Sequence, residues 1–164
     1  MKKAISVLGM MLMPLMAEEI FSFVGINTAY KDMRLSETYQ KSNTSEMTFG
    51  FTLGMQALRW RTNINLEHGS NYTSFGFNAD YILLDSMFGT PKIRPYLGIN
   101  TGYMTYDDER LEDTDGLYYG GNAGLIFYAN DMVDIDIGYH YDKISQLDGF
   151  DTMQSVTLSV HYFY

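Results

Sequence analysis

Cysteine is absent from this chain of 164 residues. Without a thiol, the protein can form no disulfide, no thiolate metal site and no cysteine nucleophile. Proline is scarce too, and Pro91 and Pro95 fall at a predicted turn and at the start of a predicted strand, where a sheet tolerates a residue that cannot donate a ladder hydrogen bond. The stability of the fold therefore has to come from something other than covalent cross-links.

Basic residues are also few. The chain has 11 Lys and Arg against 20 Asp and Glu, which gives a net charge of −9 at pH 7. A protein that binds nucleic acid needs a basic face for the phosphates. The charge balance therefore argues against nucleic acid as a partner.

Long apolar runs are missing, apart from one near the N-terminus. Met1-Lys2-Lys3 is followed by an uncharged, Met-rich stretch at residues 4–17 and then by Glu18-Glu19. That stretch is shorter than the roughly 20 residues that span a bilayer, and its flanks are those of a signal peptide. We predict a signal peptide at residues 1–17 and an exported domain at 18–164; an N-terminal helix of the fold is the alternative. No later stretch is apolar enough for a membrane helix, so any membrane crossing has to use strands.

Aromatic residues and glycine are abundant, with 14 Tyr, 10 Phe and 15 Gly, which favours a β-rich fold. Most of the strand-like segments have about the 9–11 residues that a tilted membrane strand needs, and none has a helical period of 3.6 residues. Long polar links are predicted at 31–45, 106–116 and 143–153. The eight predicted strands are approximately 20–30, 46–57, 60–68, 73–84, 94–105, 117–128, 133–142 and 154–164.

Period-two alternation is clearest in the last nine residues, where every second side chain from Val156 to Tyr164 is large and apolar. Such alternation places one face of a strand against an apolar medium. The other face is small, as in Gly98, Asn100 and Gly102. A soluble barrel of the lipocalin type would carry charged side chains outside, whereas the narrow lumen of an eight-stranded barrel suits small ones inside. We therefore predict that the apolar face meets lipid.

The eight strands, the segment from Arg94 to Tyr103 and the aromatic C-terminus together resemble the small outer-membrane β-barrel proteins, which include the barrel domain of outer-membrane protein A and the opacity-type surface proteins. The resemblance implies an all-β, eight-stranded antiparallel up-and-down transmembrane β-barrel in the bacterial outer membrane, among phospholipid and lipopolysaccharide. It also implies termini in the periplasm and four loops outside. In that family the barrel-assembly machinery reads the terminal aromatic strand, a role that would fall to Tyr162 and Tyr164.

Several ionisable residues have inward parity in the half of the barrel that contains the termini. A narrow lumen cannot hold isolated charges without a penalty of several kcal/mol each, so these residues are expected to pair. We predict an interior ion-pair plug; the alternative is that some of these residues lie in solvated turns. The predicted plug residues are Arg61, Arg94, Asp80, Asp134 and Asp136. Arg59 lies in the same half of the barrel but is not part of the predicted plug.

No catalytic, cofactor or metal site is predicted. His140 lies on a late strand, as in barrel enzymes that trim lipid A, but Asp142 stands where such enzymes have serine, and a base needs a nucleophile within reach. His68 and His161 offer no better set. Asp113-x-Asp115-Gly116 matches part of a calcium loop, but Leu111 occupies the first ligand position and no terminal Glu follows.

The sequence thus predicts a non-enzymatic outer-membrane protein with exposed loops that make surface contacts or support envelope integrity. A small-solute, porin-like channel is one alternative, although eight strands leave little lumen. A lipid-A-modifying enzyme is another. Loops vary freely on such a scaffold, so the extracellular partner cannot be read from them.

Overall fold

The computed structural model describes residues 19–35, 44–83, 90–107, 115–145 and 150–164. These residues form a closed barrel in which each strand pairs antiparallel with its sequence neighbours and the first strand pairs with the last. None of the described residues forms a helix long and apolar enough to cross a membrane. The strands are β1 (Phe21–Leu35), β2 (Thr44–Gln56), β3 (Trp60–His68), β4 (Tyr72–Ile82), β5 (Ile93–Tyr106), β6 (Asp115–Tyr128), β7 (Val133–Ser145) and β8 (Phe150–Phe163).

The predicted eight-stranded antiparallel up-and-down barrel is therefore confirmed. Two predictions concern residues outside the described ranges. They are the signal peptide at residues 1–17 and most of the acidic run at 107–116, including Asp113 of the partial calcium motif.

The two ends of the barrel are distinct. The start of β1 and the end of β8 lie at one end, called here the terminal end, where the Tyr164 amide donates to the Ser22 carbonyl at 3.1 Å. The opposite end, where β1–β2, β3–β4, β5–β6 and β7–β8 connect, is called the loop end. There β3 and β4 are joined by a tight connection in which the Gly69 amide donates to the Tyr72 carbonyl at 2.7 Å.

The strand register is staggered around the barrel. Moving from partner to partner through all eight strands, a circuit that begins at Phe23 returns to β1 at Met33. A stagger of this kind requires the strands to tilt by about 40° from the barrel axis. The resulting lumen is just wide enough to be filled by side chains, which means that inward residues from distant strands can meet.

The outer face is apolar over its whole circumference. Phe51 is 67% exposed and Leu158 is 47% exposed, whereas their neighbours Thr52 and Ser159 are buried inside. A soluble monomer rarely exposes contiguous apolar patches above a few hundred Å². The predicted assignment of faces is confirmed, and the outer surface is suited to lipid. Other large apolar side chains on it include Val24, Ile26, Met47, Phe49, Leu53, Ile64, Leu66, Phe75, Leu97, Ile99, Ile137, Val156 and Val160.

Aromatic residues flank this band. At the terminal end the rings of Trp60 and Tyr81 meet edge-to-face with centroids 5.0 Å apart, and Arg59 donates to the Tyr81 hydroxyl at 3.1 Å. Arg59 is thus an exposed turn residue and not part of the lumen. Aromatic girdles of this kind mark the two interfaces of membrane barrels.

Several strands are longer at the loop end than predicted. β1 continues to Leu35, β7 continues to Ser145, and β8 already begins at Phe150. The predicted links at 31–45 and 143–153 are correspondingly shorter. The extension has a physical reason, because inward side chains of the extra residues, Met33 and Phe150 among them, pack together inside the barrel.

Candidate functional site in the barrel lumen

The lumen contains the buried charges of the protein. Each strand presents alternate residues to it, so the site is built from all eight strands at once. From the terminal end to the loop end, the inward residues form an ion cluster around Arg61, a layer rich in asparagine, an ion pair between Lys31 and Glu67, and an apolar layer.

Arg61 on β3 is the centre of the ion cluster and is only 1% exposed. Its guanidinium pairs across the lumen with two carboxylates of β7, those of Asp134 and, at 3.1 Å, Asp136. Its Nε donates to the side-chain oxygen of Gln56 at 2.7 Å, and the Phe23 ring lies 5.2 Å below the guanidinium carbon. Each nitrogen of the buried guanidinium thus has a hydrogen-bond acceptor.

The two carboxylates have further partners. His161 Nδ1 lies 2.7 Å from Asp134 Oδ1, and the Tyr96 hydroxyl donates to Asp136 Oδ1 at 2.9 Å. The sequence analysis considered His161 only as a catalytic base and did not include it in the plug, although β8 lies beside β7 and pairs Asp134 directly with His161. The cluster is therefore a network and not a set of isolated pairs.

Of the five predicted plug residues, the structure brings Arg61, Asp134 and Asp136 into contact. Asp80 is the ladder partner of Arg61 on β4, but its carboxylate accepts a hydrogen bond from the Asn122 amide at 2.6 Å. Asp80 therefore lies beside the cluster and is tied to the next layer.

The structure does not bring Arg94 into the cluster, contrary to the prediction. Its guanidinium packs over the Tyr128 ring at 5.1 Å and its Nε donates to the Pro91 carbonyl at 3.3 Å. Arg94 has inward parity, but it lies two residues beyond Tyr96 toward the terminal end, where the lumen opens. The inward parity of a residue does not tell whether it lies at the rim of the barrel or in its interior.

A second ion pair was missed by the sequence reasoning. Lys31 Nζ lies 2.7 Å from Glu67 Oε2 and 5.0 Å from the centroid of the Tyr72 ring, and both charged side chains are buried. Lys31 had been assigned to the link after the first strand. It shares inward parity with Asn27, and Glu67 shares it with Arg61, so alternation continued beyond the predicted strand end would have found the pair.

Apolar side chains close the lumen beyond each charged region. At the terminal end, Ile82 and Ile126 pack with Tyr96. At the loop end a larger layer, called here the loop-end layer, fills the cross-section. It consists of Met33, Tyr72, Met104, Tyr106, Tyr118, Ile144, Phe150 and Met153.

Inward glycines provide the space for the large lumen side chains. A methyl group on Gly124 would come within 2.6 Å of the Tyr96 ring, and one on Gly138 would come within 2.6 Å of the Tyr96 hydroxyl. Tyr96 thus lies across β6 and β7 to reach Asp136. Tyr118 lies in the same way over Gly102. The alternating glycines that were predicted to suit a narrow lumen are the positions over which these rings pack.

The carboxylates of the lumen and His161 are divided among different partners. Within the described ranges, no group of three or more His, Asp or Glu side chains is placed to hold a metal ion. The charged atoms of Arg61 and Lys31 are occupied by lumen partners. The arrangement is suited to holding the barrel closed.

Comparison with known proteins supports the fold. No protein-family model matches the chain, and no curated protein matches it. Among solved structures, the chain is similar to neisserial surface protein A, with 16% identity, coverage of 90% of this chain and all of that one, and a TM-score of 0.70. It is also similar to outer membrane protein H of Pseudomonas aeruginosa (18% identity, coverage 88% and 99%, TM-score 0.61) and to the N-terminal barrel domain of OprF from the same bacterium (14%, 87% and 97%, 0.60).

These identities are low, so the likeness concerns the fold. The fold agrees with the apolar outer band, the aromatic flanks and the filled lumen described above. By its architecture the chain is a small eight-stranded β-barrel with the fold of these bacterial outer-membrane proteins.

Proposed function

We propose that the protein is a non-enzymatic, non-conducting outer-membrane barrel that acts through its outer surface, either by supporting envelope integrity or by contacts of its exposed loops. The observation that carries this proposal is the closed lumen. In the part of the chain that the structure describes, buried Arg61 and the loop-end layer occupy the lumen at two levels, which supports a barrel that conducts no solute.

The experiment that tests this proposal is a conductance measurement in planar bilayers. We expect the purified barrel to insert without discrete current steps. Steady steps in the range of an open pore would overturn the proposal and support the small-solute channel instead. A change in lipid A structure between cells with and without the gene would support the lipid-modifying enzyme.

Lipopolysaccharide is the proposed partner of the outer face. Arg34 and Lys143 are exposed near the loop end, and each pairs in register with Thr152 between them. This group is called here the basic patch. In the orientation proposed, with the termini in the periplasm, the patch lies at the outer leaflet, where lipid phosphates are found. Each basic side chain near an anionic membrane surface contributes about 1 kcal/mol.

The patch can be tested by refolding into vesicles with and without lipopolysaccharide. We expect lipopolysaccharide to raise the folded fraction of the wild-type chain, and Arg34→Gln with Lys143→Gln to remove that gain. Lys92→Gln, a basic residue of the terminal end, is the matched control and should keep it. If lipopolysaccharide raises the folded fraction equally in the double variant and in the control, the basic patch is not its binding site.

Assembly through the C-terminal strand is also proposed. Tyr162 and Tyr164 are exposed on the outer face, while Phe163 between them is buried in the lumen. An outward aromatic pair on the last strand is accessible to an assembly factor before the barrel closes. Replacing both tyrosines by alanine should slow insertion in cells but leave refolding in micelles unchanged; equal slowing in both settings would contradict a recognition role.

Export by an N-terminal signal is the last element of the proposal. The basic start and apolar stretch at residues 1–17 precede Glu18, and the first strand begins at Phe21. We expect N-terminal sequencing of protein taken from outer membranes to begin at Glu18. If the protein from outer membranes still begins at Met1, the prediction of a signal peptide is contradicted.

A further inference from the structure

The middle of the lumen is a small polar cavity between the two ion pairs. Its volume is about 50 Å³, and its walls include Asn27, Asn65, Asn100 and Asn122. This cavity is called here the asparagine chamber. On a comparable measure a cavity of roughly 10–15 Å³ already holds one water, so the chamber has room for a small ion together with some water.

The amide groups of the chamber are oriented by their hydrogen bonds. Asn122 donates to Asp80 and Asn100 donates to Asp142, both at 2.6 Å, and Asn27 donates to the Thr52 hydroxyl at 2.9 Å. The nitrogens of these three amides are thus committed to acceptors. The side-chain oxygens of Asn27, Asn65, Asn100 and Asn122 are buried and have no hydrogen-bond partner. Leaving such atoms unpaired is costly, so these oxygens need an electropositive partner.

The charges around the chamber are unbalanced in the part of the chain that the structure describes. Lys31 pairs there with Glu67, and Arg61 pairs with Asp134 and Asp136. Buried His161 also lies 2.7 Å from Asp134. The remaining buried carboxylates are held by neutral donors. They are Asp80, Asp142 and Glu46, whose partners are the amides of Asn122, Asn100 and, through its backbone, Asn71.

We propose that the asparagine chamber binds one alkali cation, sodium or potassium, with the Asn side-chain oxygens as ligands and Asp80 and Asp142 as nearby counter-charges. Carbonyl oxygens can replace the hydration shell of such an ion. A divalent ion would favour several converging carboxylates, and no such group is present among the described residues. Water alone would satisfy the oxygens, but it would add no positive charge beside Asp80 and Asp142.

The Arg61 cluster lies on one side of the chamber and the loop-end layer on the other, and unfolding gives a cation free access between them. Refolding therefore provides the test. The full chain is refolded in detergent micelles in sodium, potassium or N-methylglucamine chloride at equal ionic strength, and the urea midpoint is measured. For one bound cation, the unfolding equilibrium constant should fall tenfold for each tenfold rise in cation concentration above the dissociation constant.

The site is assigned by variants. Asn100→Leu and Asn122→Leu also remove the donors to Asp142 and Asp80 and can fail to fold, so Asn65→Leu is the main variant. We expect it to lose at least tenfold in cation affinity. Thr48→Val is the matched control, because Thr48 is buried on the lumen face but does not line the chamber. The control should keep the full cation dependence.

Two results would overturn the proposal. Equal midpoints in all three salts would mean that water or protons, not a metal cation, fill the chamber. A cation dependence that is the same in Asn65→Leu and in the wild type would place the ion elsewhere.

Discussion

Arg61 is the single side chain on which the terminal-end cluster depends. A buried ion pair contributes little net stability compared with apolar packing, but the loss of one partner is costly because the other charges stay buried. Here one guanidinium serves two carboxylates and a glutamine. Removing Arg61 therefore leaves more buried polar groups without a partner than the loss of a simple ion pair would.

Arg61→Met is therefore expected to lower the free energy of unfolding by about 3–5 kcal/mol. The urea midpoint of the barrel in micelles measures this change. Arg94→Met is the matched control, since Arg94 stacks on Tyr128 at the rim and its loss should cost within about 1 kcal/mol. Similar losses in both variants would mean that Arg61 has no special part in the interior.

A pair of glycines on β6 tests the space inside the lumen. Gly124→Ala should cost about 1–3 kcal/mol, because the new methyl group meets the Ile137 carbonyl oxygen and the Tyr96 ring, and overpacking forces both to move. Gly121→Ala points outward, where the nearest atom is the Gly98 carbonyl at 3.6 Å. It should be neutral or slightly stabilising, because alanine is better than glycine in a strand. The comparison uses urea midpoints, and equal effects would contradict the packing described.

At this scale, the sequence predicts which side chains face inward but not which of them meet. Parity places both Arg61 and Arg94 inside, and the outcome differs because one lies in the closed lumen and the other at its mouth. The contact between Arg61 on β3 and Asp136 on β7 depends on the barrel's stagger and radius. Neither quantity is written in the pattern of any single strand.

Whole strands were easier to predict than their ends. β3 occupies the predicted residues 60–68, because tight connections precede and follow it. β1, β7 and β8 run further toward the loop end, where polar residues such as Lys31 and Lys143 concealed a continuing alternation. A charged residue in a strand of this barrel can face the lumen, so charge alone does not mark where a strand stops.

Neighbouring residues of β8 test which face of the strand meets lipid and which meets the lumen. Leu158→Arg places a charge on the lipid face, at a cost of about 2–4 kcal/mol near the bilayer midplane. Ser159→Arg faces the lumen, and Asp136 is its ladder neighbour on β7, so the new charge finds a partner. We expect the first variant to fail to insert into liposomes, while the second still assembles to a measurable degree. Equal tolerance would contradict the assignment of the faces.

In the described residues the lumen is occupied at several levels, among them the Arg61 cluster and the loop-end layer. Removing one of them should not open the barrel. We therefore expect Arg61→Met, although less stable, to remain silent in planar bilayers. Conductance should appear when it is combined with Met33→Ala, Met104→Ala and Met153→Ala, which thin the loop-end layer. Current steps in Arg61→Met alone would show that the loop-end layer does not block ions.

The ring of strands has no preferred starting point. Ser22 and Tyr164 touch, so a short linker could join the ends while a new cut is made between Gly69 and Asn71, and every ladder would survive in the rearranged order. Such a circular permutant should refold in detergent to the same shape. Its new tail would be β3, which ends in Glu67-His68 and lacks the tyrosine pair. The permutant would thus keep the barrel shape but lose the proposed assembly signal at its C-terminus, two properties that the natural chain combines.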